Sequence, residues 1–386
     1  MNMALKKPVL VICLALVVLL TDHFAHFSEV PSLKIYDAFS SFHQRSGSPP
    51  AAIKDIVLVG IDSDTVAHMK ERWPYSRKTF ARVINHLKGS GAKTIGFDFN
   101  FFGDSTEIED SALRRAIIGD HKVILGAALT QKAGIQFSTL SGFSPADFSG
   151  LVNKFQDSDG VTRRALTYLV STHPQIFGKR FYSWELKILE TAGEIDLNSL
   201  QDEGNSLSFQ GKSEAVSALK IPVDPVTKTF TIHFQAHTKD FERLSFYQVL
   251  TGDFDPKLIR GKIILIGFLS EMFQDLHRTP IGWLPGVTLN ANALLTLHSE
   301  NFLRPVPKAI AAMLTLLGAL VLILFATELK KRTALKWLFA ALLVFIAVSY
   351  LLFTLGYVWN YGLFPIIIIV LASLIYLTKQ KRLGRH

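Results

Sequence analysis

Three stretches near the C-terminus, 309–327, 337–355 and 361–377, contain no charged side chain. Each is close to the roughly 20 residues with which an α-helix crosses the hydrocarbon core of a bilayer. In hydrocarbon every backbone polar group must be bonded within its own segment, so the stretches are expected as transmembrane helices. Charge placement agrees. The formal net charge of +9 is carried in full by Lys6, Lys7, Lys330, Lys331, Arg332, Lys336, Lys379, Lys381, Arg382 and Arg385, less Glu328. Lys and Arg collect on the cytoplasmic side of a membrane, whereas Tyr357, Trp359 and Tyr361 suit the opposite interface.

At the other end, Pro8–Leu20 is apolar and follows Lys6-Lys7. The segment Phe24–Ser28 offers no small-x-small cleavage site, so an uncleaved anchor is expected. The expected plan is a cytoplasmic N-terminus (1–7), one transmembrane helix (8–27), a large extracytoplasmic domain (28–307), and three transmembrane helices with a short basic loop and tail (308–386). The end segments absorb the whole net charge, which leaves the domain neutral and without the basic surface that nucleic acid requires. Cys13, the single cysteine, lies in the first apolar segment. Thiolate metal ligands and cysteine nucleophiles are thereby excluded from the domain.

Within the domain the strongest pattern runs from Asp55 to Phe102. Ile56–Ile61 is a β-branched apolar run without helical period, so it is predicted as a strand buried on both faces and ending at Asp62. A helix is predicted over Lys78–Ser90, with Gly91 as its C-terminal cap. Lys93–Phe99 is predicted as the returning strand, with Asp98 at its end. A parallel pair joined by a crossover brings both strand ends to one edge, so Asp62 and Asp98 are expected to face one crevice. Further helices are predicted over Ser111–Ile118, Ser183–Thr191 and Asn290–Leu297. Further strands are predicted over Lys122–Ala127, Val161–Val170, Phe230–Phe234 and Lys262–Gly267, while residues 194–240 are poorly patterned. The expected class is α/β: a mixed-sheet domain with helices on its faces, plus one N-terminal and three C-terminal transmembrane helices.

Five residues are the candidate ligand contacts: Asp62, Arg77, Asp98, Arg163 and Asn292. Arg77 follows the turn Trp73-Pro74-Tyr75 and is long enough to reach either strand-end carboxylate as a bidentate donor, or to form a structural ion pair. Arg163 and Arg164 alternate on a strand, so one of them points inward. Asn290 stands where a helix cap is favoured, which leaves Asn292 the freer of the two. Asp62 is equally suited to capping the helix after it. No cofactor, metal site or catalytic residue is expected, because the sequence holds no H-E-x-x-H, P-loop or G-x-S-x-G motif. The run Asp62-Ser63-Asp64-Thr65 resembles the D-x-D opening of the nucleophile motif of haloacid-dehalogenase-type phosphatases, with Asp62 as nucleophile and Asp64 as acid and base, although its Thr stands one position early. The acidic pair such enzymes need after a later strand is missing from its place. The three late apolar segments hold no Asp, Glu, Lys, Arg or His side chain, which argues against transport.

A wider resemblance covers about Leu33 to Pro305. It rests on Ile56–Asp62, Arg72-Trp73-Pro74-Tyr75-Ser76-Arg77, Gly91-Ala92-Lys93 through Asp98 and Asp159-Gly160-Val161-Thr162-Arg163-Arg164. It continues through Gly261–Gly267 and from Thr279-Pro280 to Asn290-Ala291-Asn292-Ala293-Leu294. In this order and spacing the pieces resemble the type-two CHASE domain, an extracellular sensory module of bacterial receptors. The resemblance implies a protein of the bacterial inner membrane whose periplasmic domain binds a small ligand or a protein and signals through its membrane helices. Family members commonly carry a cyclase, kinase or other output after those helices. With none expected here, a separate membrane signalling protein or a second copy is the expected partner. The alternative is a structural scaffold for an envelope complex.

Overall fold

A computed structural model describes residues 28–103, 105–119, 121–130, 134–136, 138, 147–171, 178–213, 217–307, 309–311, 313–314 and 331–359. The chain divides into two compact units, one of residues 44–302 and one of the segments to either side.

Helix α1 (Glu29–Ser46) leads to the larger unit, which opens with strand β1 (Ile56–Ile61). Helices α2 (Ser63–His68) and α3 (Arg77–Gly89) then cross to β2 (Thr94–Phe97), and α4 (Glu107–Ile118) crosses to β3 (Val123–Thr130). Next come the short strands β4 (Gly134–Gln136), β5 (Ser149–Leu151), β6 (Lys154–Gln156), β7 (Thr162–Leu166), β8 (Tyr168–Val170) and β9 (Arg180–Tyr182), then helix α5 (Trp184–Thr191). Strands β10 (Ile195–Asp202), β11 (Ser206–Gly211), β12 (Leu219–Pro222) and β13 (Thr229–Thr231) follow. The unit closes with β14 (Glu242–Ser245), α6 (Phe246–Thr251), β15 (Ile263–Phe268), the hairpin β16 (Leu276–Thr279) and β17 (Gly282–Pro285), and α7 (Gly286–His298).

The main sheet is parallel in the order β14-β1-β15-β2-β3-β5, with β4 antiparallel on β3. Side chains alternate across it as strand geometry demands. Val57, Val59 and Ile61 pack with Phe80, Val83 and Leu87 of α3, Leu113 of α4 and Phe246 of α6. Ile56 and Leu58 pack on the other face with Leu186 and Leu189 of α5 and with Leu294 and Leu297 of α7. Helices thus cover both faces, which explains why these strands read as unbroken apolar runs. The fold is a mixed α/β one, as expected, with parallel and antiparallel sheets. The poorly patterned stretch holds the antiparallel sheet β10-β11-β12. The strand expected over Val161–Val170 breaks in two at Thr167, whose N–H and hydroxyl both turn to the Lys228 carbonyl.

In the smaller unit, β18 (Arg304–Pro305) pairs with β19 (Tyr357–Val358) beside helix α8 (Lys331–Thr354). Tyr36 and Phe39 of α1 pack with Leu303 and with Phe353 of α8. Arg332–Thr354 is long and apolar enough to cross a membrane, and Phe339, Leu343, Val344 and Leu351 face outward along it. It matches the span expected over 337–355. The expected spans 8–27 and 361–377, and most of 309–327, lie outside the described residues.

Candidate functional site at the C-terminal edge of the sheet

In a parallel α/β sheet the crevice outside the carboxyl ends of the strands is the usual place for a ligand. Here Asp62 follows β1 and Asp98 follows β2 at that edge, but β15 is inserted between the two strands. Two strand spacings, about 10 Å, therefore separate the chain positions from which the carboxylates start. The two carboxylates expected to face one crevice thus do not start from neighbouring strands.

Asp62 lies on the α2 side, where it caps that helix. Its Oδ1 accepts from the Thr65 N–H at 2.8 Å and from the Ser245 hydroxyl at 2.9 Å. An open cleft of about 500 Å³ adjoins α2, α3 and α6, lined among others by His68, Lys70, Arg82, His86 and Tyr247.

Asp98 occupies the gap between β2 and α7. Asn290 Nδ2 donates to its Oδ1. Gly267, at the end of β15, makes this approach possible: a Cβ there would stand 2.6 Å from Val287 and 3.2 Å from the Asp98 Cβ. One turn before Asn290, on the same helix face, Gly286 is covered by Asp275. A Cβ on Gly286 would lie 2.4 Å from the Asp275 carboxylate. Asp275 also contacts His277 Nε2 at 3.1 Å. The Asp98 pKa is held well above the ordinary carboxylate value, first because burial penalises the charge and next because Asp275 repels it. Lys154 pulls in the opposite direction and Glu185 adds to the repulsion.

Lys154 and Glu185 form a sealed ion pair beneath this edge, with Nζ 2.8 Å from Oε1 and side-chain exposures of 4% and 0%. Glu185 is carried there by the N-terminus of α5, which Gly96 and Gly150 allow to seat closely on the sheet. A Cβ on either would lie within 2.5 Å of Trp184. Two buried acceptors in this neighbourhood have no donor: Asn290 Oδ1 and Glu185 Oε2. Such orphans are uncommon in folded proteins and call for an explanation.

The other expected contacts lie elsewhere. Arg77 is buried and paired with Asp110, with a second bond of 2.6 Å to the Gly103 carbonyl, so it reaches neither Asp62 nor Asp98. Arg163 is the inward member of its pair and clamps Asp157 and Asp159 at 2.8–2.9 Å within the Asp157–Gly160 turn, while Arg164 is 38% exposed. The two asparagines exchange the roles expected of them, because α7 starts at Gly286, four residues earlier than the apolar pattern suggests. Asn290 is thereby inside the helix and faces Asp98. Asn292 is fully buried and saturated: its Oδ1 accepts from the N–H groups of Gln235 and Ala236, and its Nδ2 donates to the carbonyls of Ala236 and Thr288. Asp275, Lys154 and Glu185 carried no sequence signal, since none of them belongs to a motif. Asp275 alone lies near one, just ahead of the Thr279–Pro285 turn.

Comparison with known proteins gives one family. The CHASE2 domain model matches residues 10–325. No curated protein and no solved structure matches the chain. The match spans most of the chain, including every strand of the main sheet and all the residues of the Asp98 cluster; the chain belongs to the CHASE2 family of extracellular sensory domains.

Proposed function

We propose that this protein is a membrane-bound sensor whose extracytoplasmic unit binds a small ligand at the Asp98–Asn290 pair. The observation that carries this reading is the orphaned, buried Oδ1 of Asn290 beside a carboxylate of raised pKa, at the sheet edge where α/β folds place ligands. A domain outside, one membrane helix before it and three after it fit the charge pattern, and α8 supports a membrane anchor. Helix α7 begins at the ligand site and ends at His298, four residues before the larger unit closes at Phe302. A ligand that favours one placement of α7 shifts the chain that leaves the domain at Leu303. It does so only to the extent that it binds one arrangement better than the other. The output then belongs to a separate membrane protein or to a second copy. The phosphatase alternative is disfavoured by the use of Asp62 as a helix cap.

The test is a thermal-unfolding screen of the full chain in detergent against a library of small metabolites. A ligand at about 100 times its Kd adds roughly 2.7 kcal/mol of stability. Loss of that gain in both Asp98→Asn and Asn290→Ala supports the assignment. A gain that survives both substitutions sinks it.

A further inference from the structure

We infer that the Asp98–Asn290 site takes the ammonium group of a small organic amine, a conclusion that rests on the sensory site proposed above. The balance of donors and acceptors points there. Asp98 receives one hydrogen bond, from Asn290 Nδ2. Asn290 Oδ1 shares its carbon with that nitrogen, so it lies in the same neighbourhood, is buried, and has no donor. Glu185 Oε2 is buried without a donor as well. Asp275 adds a carboxylate that is one-third exposed, at 33%, and so reachable from solvent. Against these acceptors stands Lys154, which is committed to Glu185 and to the Val152 carbonyl at 3.1 Å.

Charge points the same way. The start of a helix such as α7 ordinarily attracts an anion, but Asp275 already covers Gly286 there. An incoming carboxylate or phosphate would meet both Asp275 and Asp98. An ammonium brings three N–H donors and one positive charge, and so supplies both what the orphaned acceptors lack and what the carboxylates need. Among the described residues no three His, Asp or Glu side chains converge as metal ligands. Hydrogen bonding to an ammonium asks only for acceptors, and these are present. Neutral hydroxyl donors differ from it by the charge alone, which makes the two separable.

The experiment compares probes of equal length, 1,4-diaminobutane, butane-1,4-diol and succinate, at matched ionic strength, through the thermal midpoint of the full chain in detergent. The expected result is a concentration-dependent rise with the diamine alone. Its apparent affinity should fall about tenfold or more in Asp98→Asn, as loss of a charge-assisted hydrogen bond requires. Asp275→Asn, at a partly exposed position, gives the same reading should Asp98→Asn not fold. A rise with the diol or succinate that these variants remove keeps the site and overturns the ammonium assignment. A diamine effect undiminished in folded variants overturns both. No effect from the diamine at any concentration overturns the ammonium assignment, and the metabolite screen then decides the site separately.

Discussion

Lys154 Nζ and Glu185 Oε1 stand 2.8 Å apart in almost complete isolation from water. Mutual attraction in such a place is set against the desolvation of both ions, so the pair adds little net stability while either member alone is costly. Glu185→Ala should therefore lower unfolding free energy by about 3–5 kcal/mol. The double substitution Lys154→Met with Glu185→Leu should recover most of that loss. Urea unfolding of the three proteins decides it; equal losses in the single and double variants would show that the pair stabilises in its own right.

Asp98 should act against stability. Its folded-state pKa is raised above the ordinary 3.8, so the folded protein holds this proton more tightly than the unfolded chain does. Its contribution is most favourable at low pH and is lost as pH rises through the folded pKa. Asp98→Asn removes that penalty. At neutral pH the variant should melt above the parent while failing to respond to ligand, and the gap should close as pH falls towards 3.8. A variant less stable than the parent at neutral pH would mark Asp98 as a structural residue.

His298 and Glu194 predict a bell-shaped contribution to stability. Burial opposes the charge on each, but His298 Nδ1 lies 2.8 Å from Glu194 and its Nε2 lies 3.5 Å from Asp55. The His298 pKa is consequently raised above 6.5 and the Glu194 pKa lowered below 4.5. The imidazolium contribution is complete below 6.5 and lost as pH climbs through the folded His298 value. The carboxylate contribution is complete above 4.5 and lost as pH drops through the folded Glu194 value. His298→Gln should flatten the alkaline limb of a stability–pH profile. An unchanged limb would show that the contact carries no charge.

Asn292 should be a stability residue with no part in sensing. Asn292→Ala orphans the N–H groups of Gln235 and Ala236, at a cost of the order of 2–5 kcal/mol. Amide exchange at these two positions should quicken ahead of global unfolding, while any ligand-induced rise in the thermal midpoint keeps its size.

Where burial on both faces imposes a composition, the fold was legible. Ile56–Ile61 and Lys262–Gly267 read as core strands because their neighbours cover them from either side. The antiparallel sheet over residues 195–222 was not legible because its strands are rich in polar residues and separated by turn residues such as Gly204-Asn205. Adjacency was not legible either. Nothing in the β1–α3–β2 segment signals that a strand from residue 263 onward will enter between its two strands, and that insertion separates Asp62 from Asp98. The site itself was half visible. Asp98 was found because a carboxylate ending an apolar strand is conspicuous. Asn290 and Asn292 were exchanged because a helix opening on Pro285-Gly286 has no side-chain cap to announce its start.

The central position of β15 has a consequence for how the chain acquires its shape. In a chain emerging N-terminus first, β1 and β2 wait for residues 207 and 169 positions downstream, from Ile56 and from Thr94 to Ile263. Until β15 arrives each has an open edge, and the neighbours that would close it are themselves late, as with β14 beside β1. Long-range pairing of this kind is slow, because loop closure must precede any reward from contact. Exposed apolar strands are also the segments most prone to pair wrongly in the interval. The last strand of the sheet to be made is thus the one that completes it: the unit folds late and as a whole, and a truncated chain ending before Lys262 should be held by chaperones or degraded rather than accumulate as a smaller sensor.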